Sequence, residues 1–348
     1  MSAYIVQQSE VQTTQIVDHI QQGHLLAIPT ETVYGLAANA ADDEAIKKIF
    51  LLKNRPTNHP LIVHIAPPIE GPGIELAWER ELALWSNDVP AQAIVLAKAF
   101  WPGPLTLILK KAKHVSNLIT GGQSTVGIRV PRHPWTIKLL QAFGGGLVAP
   151  SANRFGRISP TTAMHVFDEF KDFVQVQQLM ILDGGDCEVG IESTILDLSR
   201  LEQQGPVILR PGMIAEQAIC KVLGVSTLQA NDYSIRHSGG MLGHYAPQTP
   251  LITKNISQLT LADFSERKMA VVSFIDKQEL KKQWPDADVD WYQIPRDVNA
   301  VAKELYRLLR DLDNKNYQKI IFDQLPLATE WAGLQDRLTR SVYGSGLN

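Results

Sequence analysis

The chain has 348 residues, 45% of them hydrophobic and 20% charged, with a net charge of -3. That length suits two domains better than one small core, and the balance is that of an ordinary globular protein rather than a basic nucleic-acid coat. Two cysteines, Cys187 and Cys220, form neither a CxxC pair nor a disulfide framework and read as reduced structural thiols. No basic start leads into an apolar run, so no signal peptide is expected. No apolar run approaches the roughly 20 residues that span a bilayer, so a cytoplasmic location and no membrane contact are expected.

Ser9 opens a first predicted helix through Val11, Ile16, Val17 and Ile20, with Gly23 as its stop. His24 to Ile28 is a short apolar strand ending at Pro29. Asp42 or Asp43 opens a second helix through Ile46, Ile49, Phe50 and Lys53, and Leu61 to Ile65 is the next strand. Residues 71–100 read as helical. Strands follow at Pro104 to Lys110 and Thr125 to Val130, then a helix from Pro134 to Phe143 and a strand from Gly146 to Ala149. Thr161 to Phe170 reads as helix, and Leu179 to Asp183, Thr194 to Leu198 and a segment ending at Arg210 as strands. The uneven spacing predicts a twisted mixed sheet rather than a regular βαβ array.

Around Thr227 to Gly243 the composition turns to Gln, Asn, Ser and Gly, a linker signature. The expected division is 1–225 as the first domain, 226–247 as linker or lid, and 248–348 as a smaller α/β layer of Rossmann type. In that layer Pro250 to Thr253, Met269 to Phe274 and Lys319 to Phe322 read as strands. Val298, Val301, Leu305, Leu308, Leu309 and Leu312 place one apolar face on a helix.

Unusual polar residues fall at strand ends, where α/β proteins keep their chemistry. Pro29-Thr30-Glu31-Thr32-Val33-Tyr34-Gly35 follows the first strand. Lys53 and Arg55 end a helix, where they either complement its dipole or converge on a polyphosphate. His64 interrupts an apolar strand and is by itself more often a satisfied core histidine. Arg129 also lies inside an apolar strand, so its charge must meet a buried carboxylate or a ligand. Ser151-Ala152-Asn153, Gly156 and Ser159-Pro160-Thr161 supply the small hydroxyl and amide groups of an anion-binding loop, and Glu192-Ser193-Thr194 and Arg210-Pro211-Gly212 are two further polar clusters. No Walker loop, Rossmann glycine fingerprint, GxSxG elbow or zinc spacing is present.

Nine motifs in order resemble the YrdC family, and the length resembles its long, two-domain members. They are PTETVYGL from Pro29, KNRP from Lys53, PLIVHI from Pro60, WPGPLTL from Trp101 and TVGIRVP from Thr125. SAN from Ser151, SPT from Ser159, ESTILDL from Glu192 and LRPG from Leu209 complete them. HYAP from His244 matches the long-form linker. This resemblance implies synthesis of L-threonylcarbamoyladenylate from ATP, L-threonine and bicarbonate, with pyrophosphate released. The product serves a downstream tRNA threonylcarbamoyl transferase complex.

By resemblance, Thr32, His64, Arg129, Ser151 and Ser193 would hold L-threonine. Lys53, Arg55, His59, Thr125, Asn153, Thr161, Arg210, His244 and Tyr245 would hold ATP, with Lys53 and Arg55 catalytic. Thr30 and Tyr34 would shape the pocket, and Mg2+ would arrive with ATP rather than in a protein cage. Asn54 stands where the family often has Gly, His59 where it usually has Asn, and a Gly-rich stretch precedes HYAP. A rival expectation is a module that binds tRNA or double-stranded RNA without catalysis; a weak RNA contact is also compatible with an enzyme.

Overall fold

A computed structural model describes residues 5–6, 10–175, 179–225, 228–229, 235–264 and 268–346. The chain forms two compact units. Met1–Phe155 with Ser159–Gly240 makes the first, and Gly156–Ile158 with Met241–Asn348 the second. The boundary at Gly240 falls inside the expected linker. Neither cysteine forms a disulfide. Among the described residues no helix is long and apolar enough to cross a membrane.

The first unit is built on a 12-stranded mixed sheet. Its order is Ile5–Val6, Leu179–Leu182, Leu25–Ile28, Gly35–Asn39, Leu147–Val148, Ile62–His64, Thr125–Arg129, Leu105–Lys111, Thr194–Asp197, Val207–Arg210 and Leu228–Gln229. Ser86–Asp88 pairs with Leu105–Lys111 off this path. That short strand divides the segment expected to be one helix into Ile74–Ala83 and Ala91–Phe100. Pro90 is the N-cap of the second helix, the position where a proline's missing N–H costs nothing.

Strand alternation separates two chemistries. Val63, Leu105, Leu107, Leu109, Val126 and Ile128 belong to the large helix-covered core. The alternate positions carry His64, Thr106, Thr125, Gly127 and Arg129 on the other face. Register fixes their neighbours: His64 pairs with Arg129 and Ile62 with Gly127. Leu107 pairs with Ile128, which sets Thr106 beside Arg129. Thr106 pairs with Ile195, and Ile195 with Arg210. Across five strands, four therefore carry a polar side chain in this row, with Ile195 between Thr106 and Arg210.

The second unit holds four parallel strands in the order Leu251–Lys254, Lys319–Asp323, Met269–Ser273 and Val289–Gln293. Helix Val298–Asp313 is capped by Asp297, whose carboxylate accepts from Ala300 N at 2.8 Å. It buries Val301, Leu305, Leu309 and Leu312, the face read from its periodicity.

Candidate functional site

Local chemistry builds each corner of the polar face. Asp42 caps helix Asp43–Lys53 by accepting from Glu44 N and Ala45 N. Asn54 ends it in the left-handed region at φ 51°. After glycine, asparagine tolerates that conformation best, which explains this departure from the family's glycine. The helix so terminated places Lys53 inward. Its ammonium is 1% exposed and donates to Ser151 O at 2.5 Å and to Asn153 O. Burial first, and then the Arg55 guanidinium, push its pKa well below the usual lysine value.

Arg55 donates to Pro60 O at 2.9 Å and lies 5.4 Å from the Phe155 ring centroid. The His59 ring sits 5.0 Å from the same Phe155 ring. Burial, then the positive charges of Arg55 and Arg236, lower the pKa of His59.

The loop after strand Leu25–Ile28 folds around one hydroxyl. Thr30 Oγ1 accepts from Thr32 N and Val33 N at 3.1 and 3.2 Å. Tyr34 OH donates to Gly185 O at 2.8 Å and accepts from Gly184 N at 3.1 Å. Burial pushes its pKa up, which leaves a fixed neutral phenol. Thr32, with no exposed surface, accepts from Arg129 Nη2 at 2.9 Å.

Arg129 answers the sequence-level question with a carboxylate. Glu31 Oε1 lies 2.8 Å from Arg129 Nη2, with side chains 2% and 5% exposed. This is a charge contact without hydrogen-bond alignment, while Glu31 Oε2 accepts from Arg132 N at 2.9 Å. Arg129 Nε has no hydrogen-bond partner among the described residues. The guanidinium is thus held on one side and unsatisfied on another, an arrangement that suits a further anion.

His64 Nδ1 lies 3.2 Å from Ile62 O. Burial and then Arg129 push its pKa down to about 3, so the ring is neutral at physiological pH. The linkage has a definite sign. The unfolded chain binds a proton at His64 near pH 6.5 and the folded one does not, so stability is full above that pH and falls below it. Between pH 6 and pH 4 this residue should contribute a slope of about 1.4 kcal/mol per pH unit. Urea unfolding of His64→Gln should show that part of the slope gone. An identical pH dependence in both proteins would contradict the buried neutral assignment.

Ser193 and Arg210 form the far end of the row. Ser193 Oγ is 2.8 Å from Thr106 Oγ1. Arg210 donates through Nε and Nη2 to Ser193 O at 3.1 and 2.9 Å, and through Nη1 to Ser238 O at 2.8 Å. The ladder shifts register between Ile195 and Leu196, a bulge beside the site. Gly212 passes so close that a Cβ there would lie 2.4 Å from Thr194 N, which gives the LRPG motif its glycine.

Ser151 bridges Gly35, and Ala152 N donates to Tyr34 O at 2.8 Å. Thr161 N lies 3.2 Å from His165 Nδ1, and its carbonyl accepts from Cys187 N at 2.9 Å. Thr125 starts the Arg129 strand, partly exposed. These contacts bring Thr30, Thr32, Tyr34, Lys53, Ser151, Asn153 and Arg129 together, with His64 beside Arg129. Arg210 bonds Ser193 directly, and Ser193 meets Thr106, the neighbour of Arg129 in register. His244 and Tyr245 belong to the second unit and are 4% and 1% exposed. There Tyr245 stacks on Tyr306 at 5.7 Å.

Sequence reading passed over Glu31, Thr106, Phe155 and Glu192. Glu31 and Glu192 stand in the polar stretches around Pro29 and Ser193, and the sequence gives neither a role of its own. Glu192 Oε1 accepts from Ser159 Oγ at 2.5 Å, a structural role visible only in three dimensions. An open groove of about 1080 Å³ elsewhere on the first unit, lined by Asn39, Trp85, Lys111 and Asn117, contains none of the predicted residues.

A family described as Telomere recombination matches residues 18–212. A second, described as Threonylcarbamoyl-AMP synthase, C-terminal domain, matches residues 214–342. The chain belongs to the two-domain threonylcarbamoyl-AMP synthase family. The threonylcarbamoyl-AMP synthase of Pyrococcus abyssi is 37% identical over 313 residues, covering 87% of this chain and 85% of that one. The Bacillus subtilis threonylcarbamoyl-AMP synthase is 34% identical over 348 residues, covering 97% and 94%. Among solved structures, the Pyrococcus abyssi protein complexed with L-threonine superposes with a TM-score of 0.82 at 34% identity, covering 98% and 97% of the two chains. The mixed α/β fold and the smaller second sheet expected of this family are both present.

Proposed function

We propose that this chain joins ATP, L-threonine and bicarbonate into L-threonylcarbamoyladenylate, the activated precursor for modification of a tRNA adenosine. Relatives carrying that enzyme name match at 30–37% identity over most of this chain. The observation that carries the reading residue by residue is Arg129: a guanidinium 4% exposed, fixed by Glu31 and Thr32, with Nε still unsatisfied. The threonine carboxylate is the anion it would receive. Ser151, Ser193, Thr32 and neutral His64 line the same face and suit the amine and hydroxyl.

The threonine amine attacks the carbon of bicarbonate, water leaves, and a carbamate forms. A carbamate oxygen then attacks the α-phosphorus of ATP, the bond to the β-phosphate oxygen breaks, and pyrophosphate departs. No covalent enzyme intermediate is required, so rate enhancement rests on placing the reactants and stabilising phosphate charge. Lys53, Arg55 and Arg210 supply that charge, with Thr125, Asn153, Thr161 and His59 around the nucleotide. Among the described residues no group of three or more His, Cys, Asp or Glu is arranged to hold a metal. Mg2+ would arrive with the phosphates of ATP, where it would neutralise charge on them. His244 and Tyr245 are assigned to the nucleotide by resemblance alone. The product would pass to a cytoplasmic tRNA threonylcarbamoyl transferase complex.

The test is incubation with ATP, L-threonine and bicarbonate. Pyrophosphate and a threonine-containing adenylate should appear together, and omission of any one substrate should abolish both. Salt-sensitive RNA binding with no ATP turnover would instead support a binding module.

A further inference from the structure

Thr106 lies on strand Leu105–Lys111 of the first unit with no exposed surface, and Ser193 in the same unit has none either. Register puts Thr106 between two proposed contacts to L-threonine. On one side it neighbours Arg129, through the pairing of Leu107 with Ile128. On the other its strand pairs with Thr194–Asp197, and Ser193 is the residue just before that strand. Thr106 Oγ1 and Ser193 Oγ stand 2.8 Å apart.

The backbone around Ser193 is held without Thr106. Ser193 O accepts from Arg210 Nε and Nη2 at 3.1 and 2.9 Å. Thr194 N donates to Pro104 O at 3.0 Å, and Thr194 Oγ1 donates to Ile214 O at 2.9 Å. Only the direction of the Ser193 hydroxyl is left to settle.

A proton count settles it. Each hydroxyl has one proton to give and two lone pairs to receive with. Ser193 Oγ accepts from Arg210 Nη2 at 3.2 Å. The contact between Thr106 and Ser193 uses one of the pair's two protons, and the second finds no acceptor among the described residues. A buried O–H without an acceptor is costly, so the pair is short of one acceptor. A carboxylate held by Arg129 would supply it. Thr106 and Arg210 then donate to Ser193 Oγ, which fills both of its lone pairs, and the Ser193 proton goes to the carboxylate.

The branched side chain of Thr106 suits this task. A Cβ placed on Gly127 would lie 3.6 Å from Thr106 Cγ2, so the methyl is turned toward Gly127 while the hydroxyl is turned toward Ser193. A side chain branched at Cβ is stiff at χ1, and packing of the methyl therefore keeps the hydroxyl in place.

We infer that Thr106 is a positioning residue for L-threonine: its hydroxyl donates to Ser193 Oγ and turns the Ser193 proton toward the amino-acid carboxylate. The inference rests on the proposed assignment of Ser193 and Arg129 to L-threonine. An ordinary cross-strand hydroxyl pair would support the sheet alone.

The test is a cycle on the full chain: Thr106→Val, Ser193→Ala and the two combined, with Thr106→Ser as the conservative variant. Each is first shown to melt cooperatively, and L-threonine affinity is read by calorimetry. Thr106→Val keeps the shape and removes the hydroxyl, and should weaken L-threonine binding about 10-fold, the lower end for a hydrogen bond to a charged group. Thr106→Ser should stay within about 3-fold. The combined variant should bind within about 2-fold of Ser193→Ala alone, because Thr106 acts through Ser193. The KM for ATP in pyrophosphate release should change less than about 2-fold in Thr106→Val. Where Thr106→Val does not fold, Thr106→Ala takes its place under the same criteria.

Unchanged L-threonine affinity in a folded Thr106→Val overturns the inference and leaves the pair a sheet contact. Losses that add in the combined variant overturn action through Ser193. Absence of pyrophosphate release by the unmodified chain would instead refute the proposed function, and the binding cycle would still decide on Thr106. Absence of L-threonine binding by the unmodified chain overturns both.

Discussion

Lys53→Ala should reduce threonine-dependent pyrophosphate release at least about 100-fold, the scale of losing one preorganised charge contact to a transition state. Two consequences of the structure converge on this outcome. The amine is buried beside Arg55, and both disfavour its charge in a poorly screened site, so an arriving phosphate that restores that charge gains much from it. It also donates to Ser151 O and Asn153 O, so its removal orphans two carbonyls of the loop that carries two proposed ligand contacts. Arg55→Ala should be similarly damaging to turnover, but with ATP affinity falling more than stability, because Arg55 donates to one loop carbonyl, Pro60 O, where Lys53 donates to two carbonyls of the Ser151 loop. ATP titration together with urea unfolding separates the two variants. Near-normal release by both would remove these cations from the mechanism.

Arg129→Ala should weaken L-threonine binding about 10- to 150-fold by calorimetry, the worth of charged hydrogen bonds to a carboxylate. It should also cost about 3–5 kcal/mol of stability, because Glu31 would remain as a buried carboxylate without its cation. The two effects are separable. Adding Glu31→Gln to Arg129→Ala removes the stranded charge and should recover much of the stability, while threonine binding stays lost. Threonine affinity unchanged in the single variant would show that Arg129 serves only the ion pair.

The elements of the first unit were largely legible because its strands are short apolar runs closed by Pro or Gly, and Asp42 and Gly23 mark helix ends. Strand Gly35–Asn39 was not legible: its Gly-Leu-Ala-Ala-Asn sequence lacks the branched and aromatic residues that mark strands, and it survives by being buried between two partners. Val289–Gln293 was hidden by its aspartates and by flanking polar residues, and helix Ala332–Gly344 by the weak patterning of its apolar positions. The expected cap at Ser9 lies outside the described residues.

At the site, residue identity was legible and pairing was not. The cost of a charge in an apolar strand identified Arg129, but only the fold shows that Glu31, two residues after Pro29 in sequence, reaches it across the sheet. His64 looked like an ordinary core histidine, and register explains its place: it is the lateral neighbour of Arg129. Its neutrality suits a position beside a cation. Thr106 carried no signal within Leu-Thr-Leu-Ile-Leu, since its meaning lies in the strands on either side.

The most direct measurement is a crystal structure of this chain soaked with L-threonine and a non-hydrolysable ATP analogue. The threonine carboxylate should lie within hydrogen-bond distance of Arg129 Nε, with the triphosphate against Lys53, Arg55 and Arg210 on the same sheet face. Threonine and nucleotide bound at separate places, for example in the groove near Trp85 and Lys111, would contradict a shared site.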